Sequence, residues 1–124
     1  MSGITLDTGA LIAIERRRER VLRLLRWAKE RRRPITAPMA AVAEWWRGRT
    51  DVREAILAAL LVEPMSLSVA QAAGEALAAV RGATAIDAIV MASAALRGDM
   101  VWTSDVDDLV RLSSHFPGVR LLAV

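Results

Sequence analysis

Four acidic side chains stand in stretches that are otherwise apolar, small or turn-forming. Asp7 follows Ile4-Thr5-Leu6 and precedes Thr8-Gly9-Ala10-Leu11-Ile12-Ala13. Glu44 lies in Ala40-Ala41-Val42-Ala43-Glu44-Trp45-Trp46, and Asp87 in Ala85-Ile86-Asp87-Ala88-Ile89-Val90-Met91-Ala92. Asp105 follows Met100-Val101-Trp102-Thr103-Ser104, with Asp107 and Asp108 just behind it. A carboxylate embedded among apolar residues is rarely left buried and unpaired. If the four meet, each pair about 4 Å apart repels by roughly 4 kcal/mol at an effective dielectric of about 20. A cluster of that kind takes up protons or binds cations. The chain has no Cys and a single His, His115, so thiolate and multi-imidazole metal sites are excluded. What is left is an all-oxygen donor set, suited to a hard ion such as magnesium or manganese. Each acid also has a plainer reading. Asp7 and Asp105 are good helix caps, Asp87 stands three residues after Thr84 as in a capping box, and Glu44 could be a solvated helix residue.

The elements that must carry these acids can be read from periodicity and punctuation. Ile4–Leu6 is a short apolar strand, and a helix begins at Thr8. A second helix is expected over 16–33, with Val21, Leu24, Leu25 and Ala28 as its buried stripe and Arg16, Arg20 and Arg23 on another face. Pro34 ends it. A strand over 35–37 follows, then a helix over 39–47 reaching Gly48. Another helix runs from Asp51 to about Leu61. Residues 62–67, interrupted by Pro64, form a strand placed at an edge. Ser68 and Gln71 suggest a capping box for a helix to about Arg81. Thr84 opens an apolar helix that Gly98 stops at Arg97. A buried strand over 100–103, a short helix over 104–108 and a last strand over 119–123 complete the chain. Short strands alternating with longer helices imply an α/β fold, a parallel-type sheet with helices on both faces. Strand carboxyl ends then share one edge, where such sheets place their chemistry, so Asp7 and Asp105 become neighbours.

Length and composition agree with one domain over residues 1–124. The apolar share is 54% and mean hydropathy is +0.31, enough for a real core and some apolar surface for a partner or a second copy. No membrane span and no signal peptide are expected, which predicts a cytoplasmic protein. Charge is uneven. Residues 15–33 carry ten Arg or Lys against three Glu, a local net of +7, while the remainder nets −4. Arg16, Arg20 and Arg23 could hold RNA phosphates, or the helix could be a solvated face. Trp45 and Trp46 could stack on bases or pack in the core or against a partner. His115 has no telling neighbour, and neither a P-loop nor a G-x-S-x-G elbow is present.

The whole chain resembles a PIN-domain ribonuclease, and more narrowly a VapC-type toxin of bacterial toxin–antitoxin pairs. The carriers are LDTGALIA with Asp7, APMAAVAEWWRG with Glu44, TAIDAIVMASAA with Asp87 and VWTSDVDDL with Asp105, in that order. The resemblance implies a three-layer αβα domain with a short, mostly parallel sheet. It implies magnesium- or manganese-dependent hydrolysis of RNA phosphodiesters, with Asp7, Glu44, Asp87 and Asp105 around the metal and Thr103 or Ser104 hydrogen-bonding within the site. It also implies a VapB-like antitoxin partner and a homodimer. The run Asp105, Asp107, Asp108 carries more acids than is usual for the family, so Asp108 stands beside Asp105 as a choice for the fourth acid. The competing function is a non-catalytic RNA- or protein-binding α/β module whose acids merely cap helices.

Overall fold

The computed structural model describes residues 2–47 and 51–124. Five strands, β1 (Ile4–Leu6), β2 (Ile35–Pro38), β3 (Leu61–Glu63), β4 (Met100–Thr103) and β5 (Leu121–Ala123), form one sheet in the order β3-β2-β1-β4-β5. Every pairing is parallel. The helices are α1 (Thr8–Glu15), α2 (Glu19–Glu30), α3 (Met39–Trp45), α4 (Asp51–Ala58), α5 (Leu67–Ala79), α6 (Ala85–Arg97) and α7 (Val106–Val110). This is the expected α/β architecture; β3 is at an edge as expected, but Pro64 lies just past its end rather than within it.

The central strands are nearly continuous runs of buried residues, as a parallel sheet covered on both faces requires. Ile4, Leu6, Val101 and Trp102 are fully buried at its centre, with Leu11, Val21, Val90 and Met91 packed in from the helices. Parity divides the layers. Thr5 faces α6, where Arg97 reaches it, whereas Met100, Trp102 and Leu122 face the other way, toward α2.

Several element ends differ from the sequence reading. α2 begins at Glu19, not at residue 16, because the chain turns at Arg17, a non-glycine with φ of 54°. Arg16 therefore ends α1 and does not share the face of α2 that carries Arg20 and Arg23. Of the expected stripe, Val21 and Ala28 are buried while Leu24 and Leu25 are half-buried. Ser66, not Ser68, caps α5 by accepting from the Val69 N–H at 3.1 Å, and the helix stops at Ala79. β3 and β5 are three residues each, and α4 ends at Ala58. The expected end of α3 at Gly48 lies outside the described residues. Gly98 stops α6 in the left-handed conformation, φ 73°, where a side chain is disfavoured. Among the described residues no helix is long and apolar enough to cross a membrane.

Candidate active site

Strand order places the acids. β1 is flanked by β2 on one side and β4 on the other, so the chain's direction of travel across the sheet reverses between β1 and β4. At such a switch point the loops leaving two adjacent strands diverge and open a crevice beyond their carboxyl ends. Asp7 ends β1 and Asp105 lies two residues past β4, so the two flank that crevice.

Asp7 is buried, with 7% of its surface exposed. Its Oδ1 accepts the Ala10 N–H at 2.8 Å, which makes it the N-cap of α1. The Thr103 side chain also hydrogen-bonds to it. Burial outweighs both bonds and pushes the carboxyl up to about 6 from 3.8, with the charges of Asp87 and Asp105 adding to the rise. The first turn of α1 meets this site closely. A Cβ on Gly9 would fall 1.9 Å from Ser104 Oγ, so glycine is what lets the two loops approach.

Thr103 is fully buried and joins the loops. Its Oγ1 accepts the Asp105 N–H at 2.9 Å while its hydroxyl serves Asp7. Ser104 itself is exposed, and a Cβ on Gly9 would meet its Oγ. Asp105 caps α7 through its Oδ1 and the Asp108 N–H at 3.4 Å. A hydrogen bond to Asp105, together with the charge of Asp105, raises the Asp108 carboxyl.

Asp87 stands one turn into α6, half-buried. Thr84 caps the helix by accepting the Asp87 N–H at 3.2 Å, as the expected capping box requires. Burial raises the Asp87 carboxyl, and the charges of Asp108, Glu44 and Asp105 raise it further. Glu44 is exposed on α3 and reaches the group through Asp87. Asp7 thus feels the charges of Asp87 and Asp105, Asp87 feels those of Asp108, Glu44 and Asp105, and Asp108 feels that of Asp105. Capping and clustering are therefore not alternatives here. Asp7 and Asp105 do both, and the cap is what holds each carboxylate in place.

Among the described residues, no three acidic or His side chains are gathered tightly enough to ligate one ion as they stand. The chemistry of the donors nevertheless fits a hard cation: oxygen only, one acid kept buried at a cost in free energy, and neighbours whose mutual repulsion a divalent charge would relieve. His115 contributes nothing; it stacks edge-on against Phe116, centroids 4.9 Å apart.

The tryptophans pack. Trp45 is buried, and its Nε1 donates to Glu15 Oε1 at 2.9 Å, while Arg53 pairs with Glu15 Oε2 at 3.3 Å. Trp46 meets Trp45 edge-on at 6.0 Å. Arg20 and Arg23 stay together on α2: Arg20 Nε donates to the Ala123 carbonyl at 2.7 Å, and Arg23 pairs with Glu19 at 3.4 Å.

Sequence reasoning missed one network. Arg97 donates to Glu63, to Ser93 Oγ at 2.8 Å, to Thr5 Oγ1 at 2.6 Å and to Asp99 Oδ2 at 3.0 Å. Asp99 in turn accepts from Thr5 Oγ1 and the Gly3 N–H, both at 3.0 Å. This knot ties α6 to β1, β3 and the start of β4, and so fixes the helix that presents Asp87. The available signal was an Arg and an Asp flanking Gly98 at the end of a largely apolar helix.

No family model and no curated protein matches the sequence. Solved structures do match in fold. DNA-bound VapBC from Salmonella typhimurium superposes with a TM-score of 0.75 at 20% identity, covering 99% of this chain and 98% of that one. VapBC2 from Rickettsia felis, bound to a promoter DNA fragment, gives 0.81 at 14% identity and 98% coverage of both. PAE2754 from Pyrobaculum aerophilum gives 0.60 at 20% identity, with coverages of 97% and 90%. From end to end, the chain has the PIN-domain fold that its four acidic motifs imply, in the form these VapBC structures take.

Proposed function

We propose that the chain is a metal-dependent endoribonuclease acting as the toxin of a toxin–antitoxin pair. One observation carries this reading. Asp7 is a buried carboxyl pushed up to about 6, at a sheet switch point, with Asp87 and Asp105 close enough to add to the rise. A fold has no structural need to hold an acid at that cost, whereas perturbed acids in a cleft are common at reactive sites.

Asp7, Asp87, Asp105 and Glu44 would hold magnesium or manganese, with Asp108 the alternative to Asp105. A divalent ion there supplies positive charge that polarises a phosphate and acidifies water. The chain's own groups do the rest. Thr103 keeps Asp7 oriented, the α1 cap occupies Asp7 Oδ1, and a carboxylate takes the proton that the attacking water loses. The water oxygen would bond to phosphorus as the in-line P–O3′ bond breaks, and the departing O3′ would take a proton from solvent, leaving a 5′-phosphate and a 3′-hydroxyl.

A groove of about 990 Å³ between α2 and α4, with Leu22, Leu25, Ile56 and Leu60 among its lining, suits an apolar segment of a VapB-like antitoxin. The neighbours solved as VapBC support such a partner. Neither Trp45 nor Trp46 lines this groove, but Trp45 stands next to it, donating to Glu15, which does. Met39, Met65 and Leu67, just past the carboxyl ends of β2 and β3 and about half exposed or more, suit a homodimer contact. A cytoplasmic address is part of the same reading.

The second reading, a binding module with structural acids, draws on the three caps that Asp7, Thr84 and Asp105 make. Incubating single-stranded RNA with the purified chain separates the two. The nuclease yields 5′-phosphate ends with manganese, none with chelator and none from Asp7→Asn. Cleavage that survives chelator, or that Asp7→Asn retains in full, retires the proposal.

A further inference from the structure

Between α2 and the β4–β5 edge runs a groove of about 540 Å³. Arg20, Arg23, Arg33 and Arg120 line it over an apolar floor that includes Trp27 and Leu122, and no acid is among its lining residues. It follows the strand direction. Arg33 and Arg120 precede β2 and β5, at the amino ends. Arg20 is pinned at the carboxyl end, on the Ala123 carbonyl. Ala123 pairs in register with Thr103, the residue that hydrogen-bonds to Asp7. Neighbouring strands lie about 4.8 Å apart, so the upper mouth of the groove opens one strand outward from β4, which leads to Asp105, and two strands from β1, which leads to Asp7.

Two features go beyond Arg stems shielding an apolar edge. Arg33 lies over the Trp27 ring, 4.7 Å from its centroid, with Arg31 at 5.1 Å. Arg33 Nε is also buried without a hydrogen-bond partner in the described structure. A buried donor left unmade is costly, and a phosphate oxygen is the natural acceptor for a guanidinium. Cations flanking an aromatic ring form the kind of platform that holds single-stranded nucleic acid.

We propose that this groove is the track on which the substrate RNA strand leaves the acid site, its phosphates on the arginines and a base against Trp27. The identity of the polyanion rests on the nuclease reading. RNA is favoured over an acidic protein segment because the groove opens beside the proposed cleavage site and pairs its cations with an indole.

The test uses the full chain carrying Asp7→Asn, so that RNA is bound but not cut. A dye-labelled oligouridine is titrated by fluorescence anisotropy across a salt series. Arg23→Gln with Arg120→Gln removes two groove cations. Arg26→Gln with Arg32→Gln removes the same charge from exposed positions outside the groove. The groove pair is expected to flatten the slope of log affinity against log salt by about 1.4, since each single-strand phosphate contact contributes about 0.7. The outer pair is expected to leave the slope nearly unchanged. In the chain with Asp7 intact, the groove pair is expected to raise KM for cleavage with little change in kcat. Equal slopes for the two pairs overturn the track, and cleavage by the parent then still upholds the nuclease reading. Groove-dependent binding without any cleavage by the parent upholds the groove as an RNA site and retires the nuclease. Absence of RNA binding, or tighter binding of polyglutamate than of RNA, overturns the proposal.

Discussion

Replacing Asp7 by Asn should stabilise the metal-free protein, and the gain should depend on pH. The carboxyl sits at about 6 in the folded chain against 3.8 when free. Below the lower value Asp7 is protonated in both states, and its burial carries no ionic cost. As pH rises from there toward 6, the unfolded chain releases the proton while the folded chain still holds it, so stability falls. Above 6 the loss is complete. Two units and a little more, at about 1.36 kcal/mol each, come to about 3 kcal/mol. Asn caps a helix about as well as Asp, so the α1 cap survives the change. The assay is thermal unfolding in chelator. Asp7→Asn should melt roughly 10 °C above the parent at about pH 7.5 and within a degree or two of it near about pH 3.5. Manganese at a hundredfold excess over its dissociation constant should return about 2.7 kcal/mol to the parent and less to the variant. A variant that melts at or below the parent at neutral pH would refute the reasoning, since Asp7 would then be a cap held at no cost.

Three more outcomes follow from particular contacts. Asp105→Asn should reduce RNA cleavage more than Asp108→Asn, because Asp105 acts on both Asp7 and Asp87; equal losses in single-turnover rate would argue otherwise. Arg97→Met should destabilise the fold by about 3 kcal/mol in urea unfolding, because it leaves Glu63 and the buried Asp99 without their cation; a loss under about 1 kcal/mol would make the knot a surface feature. Gly9→Ala should cost about 1–3 kcal/mol through overpacking against Ser104, and Ser104→Gly should restore part of it; strict additivity of the two changes would remove the contact.

Much of the layout was legible because it depends on local signals. Ile4–Leu6 ahead of Asp7, the Thr84 cap, the Gly98 stop and the buried run Met100–Thr103 all stand where residue type and spacing place them. The misplaced ends have physical causes. Arg17 adopts a left-handed turn that no charge pattern announces, so α2 starts late and the expected Arg16-Arg20-Arg23 ladder breaks. Two serines two residues apart could each cap α5, and packing of Val69 selected Ser66. At the site, capping and clustering looked like rival explanations of the same aspartates. Only strand order, which brings residue 7 beside residue 105, shows that one carboxylate can do both. The Arg97 knot and the arginine groove were illegible because their members come from several elements far apart in the chain.

Strand order also sets a timetable. β1 pairs with β4, Ile4 opposite Met100, and long-range parallel pairing is slow to form. Asp7 is therefore made well before Asp87 and Asp105 and waits for them. The apolar groove between α2 and α4 follows a different schedule, since its lining runs only from Ile14 to Leu61. On a ribosome, the whole of that surface is synthesised before two of the acids exist. On the proposed function, a partner that seats there would meet its surface before the acid site is complete.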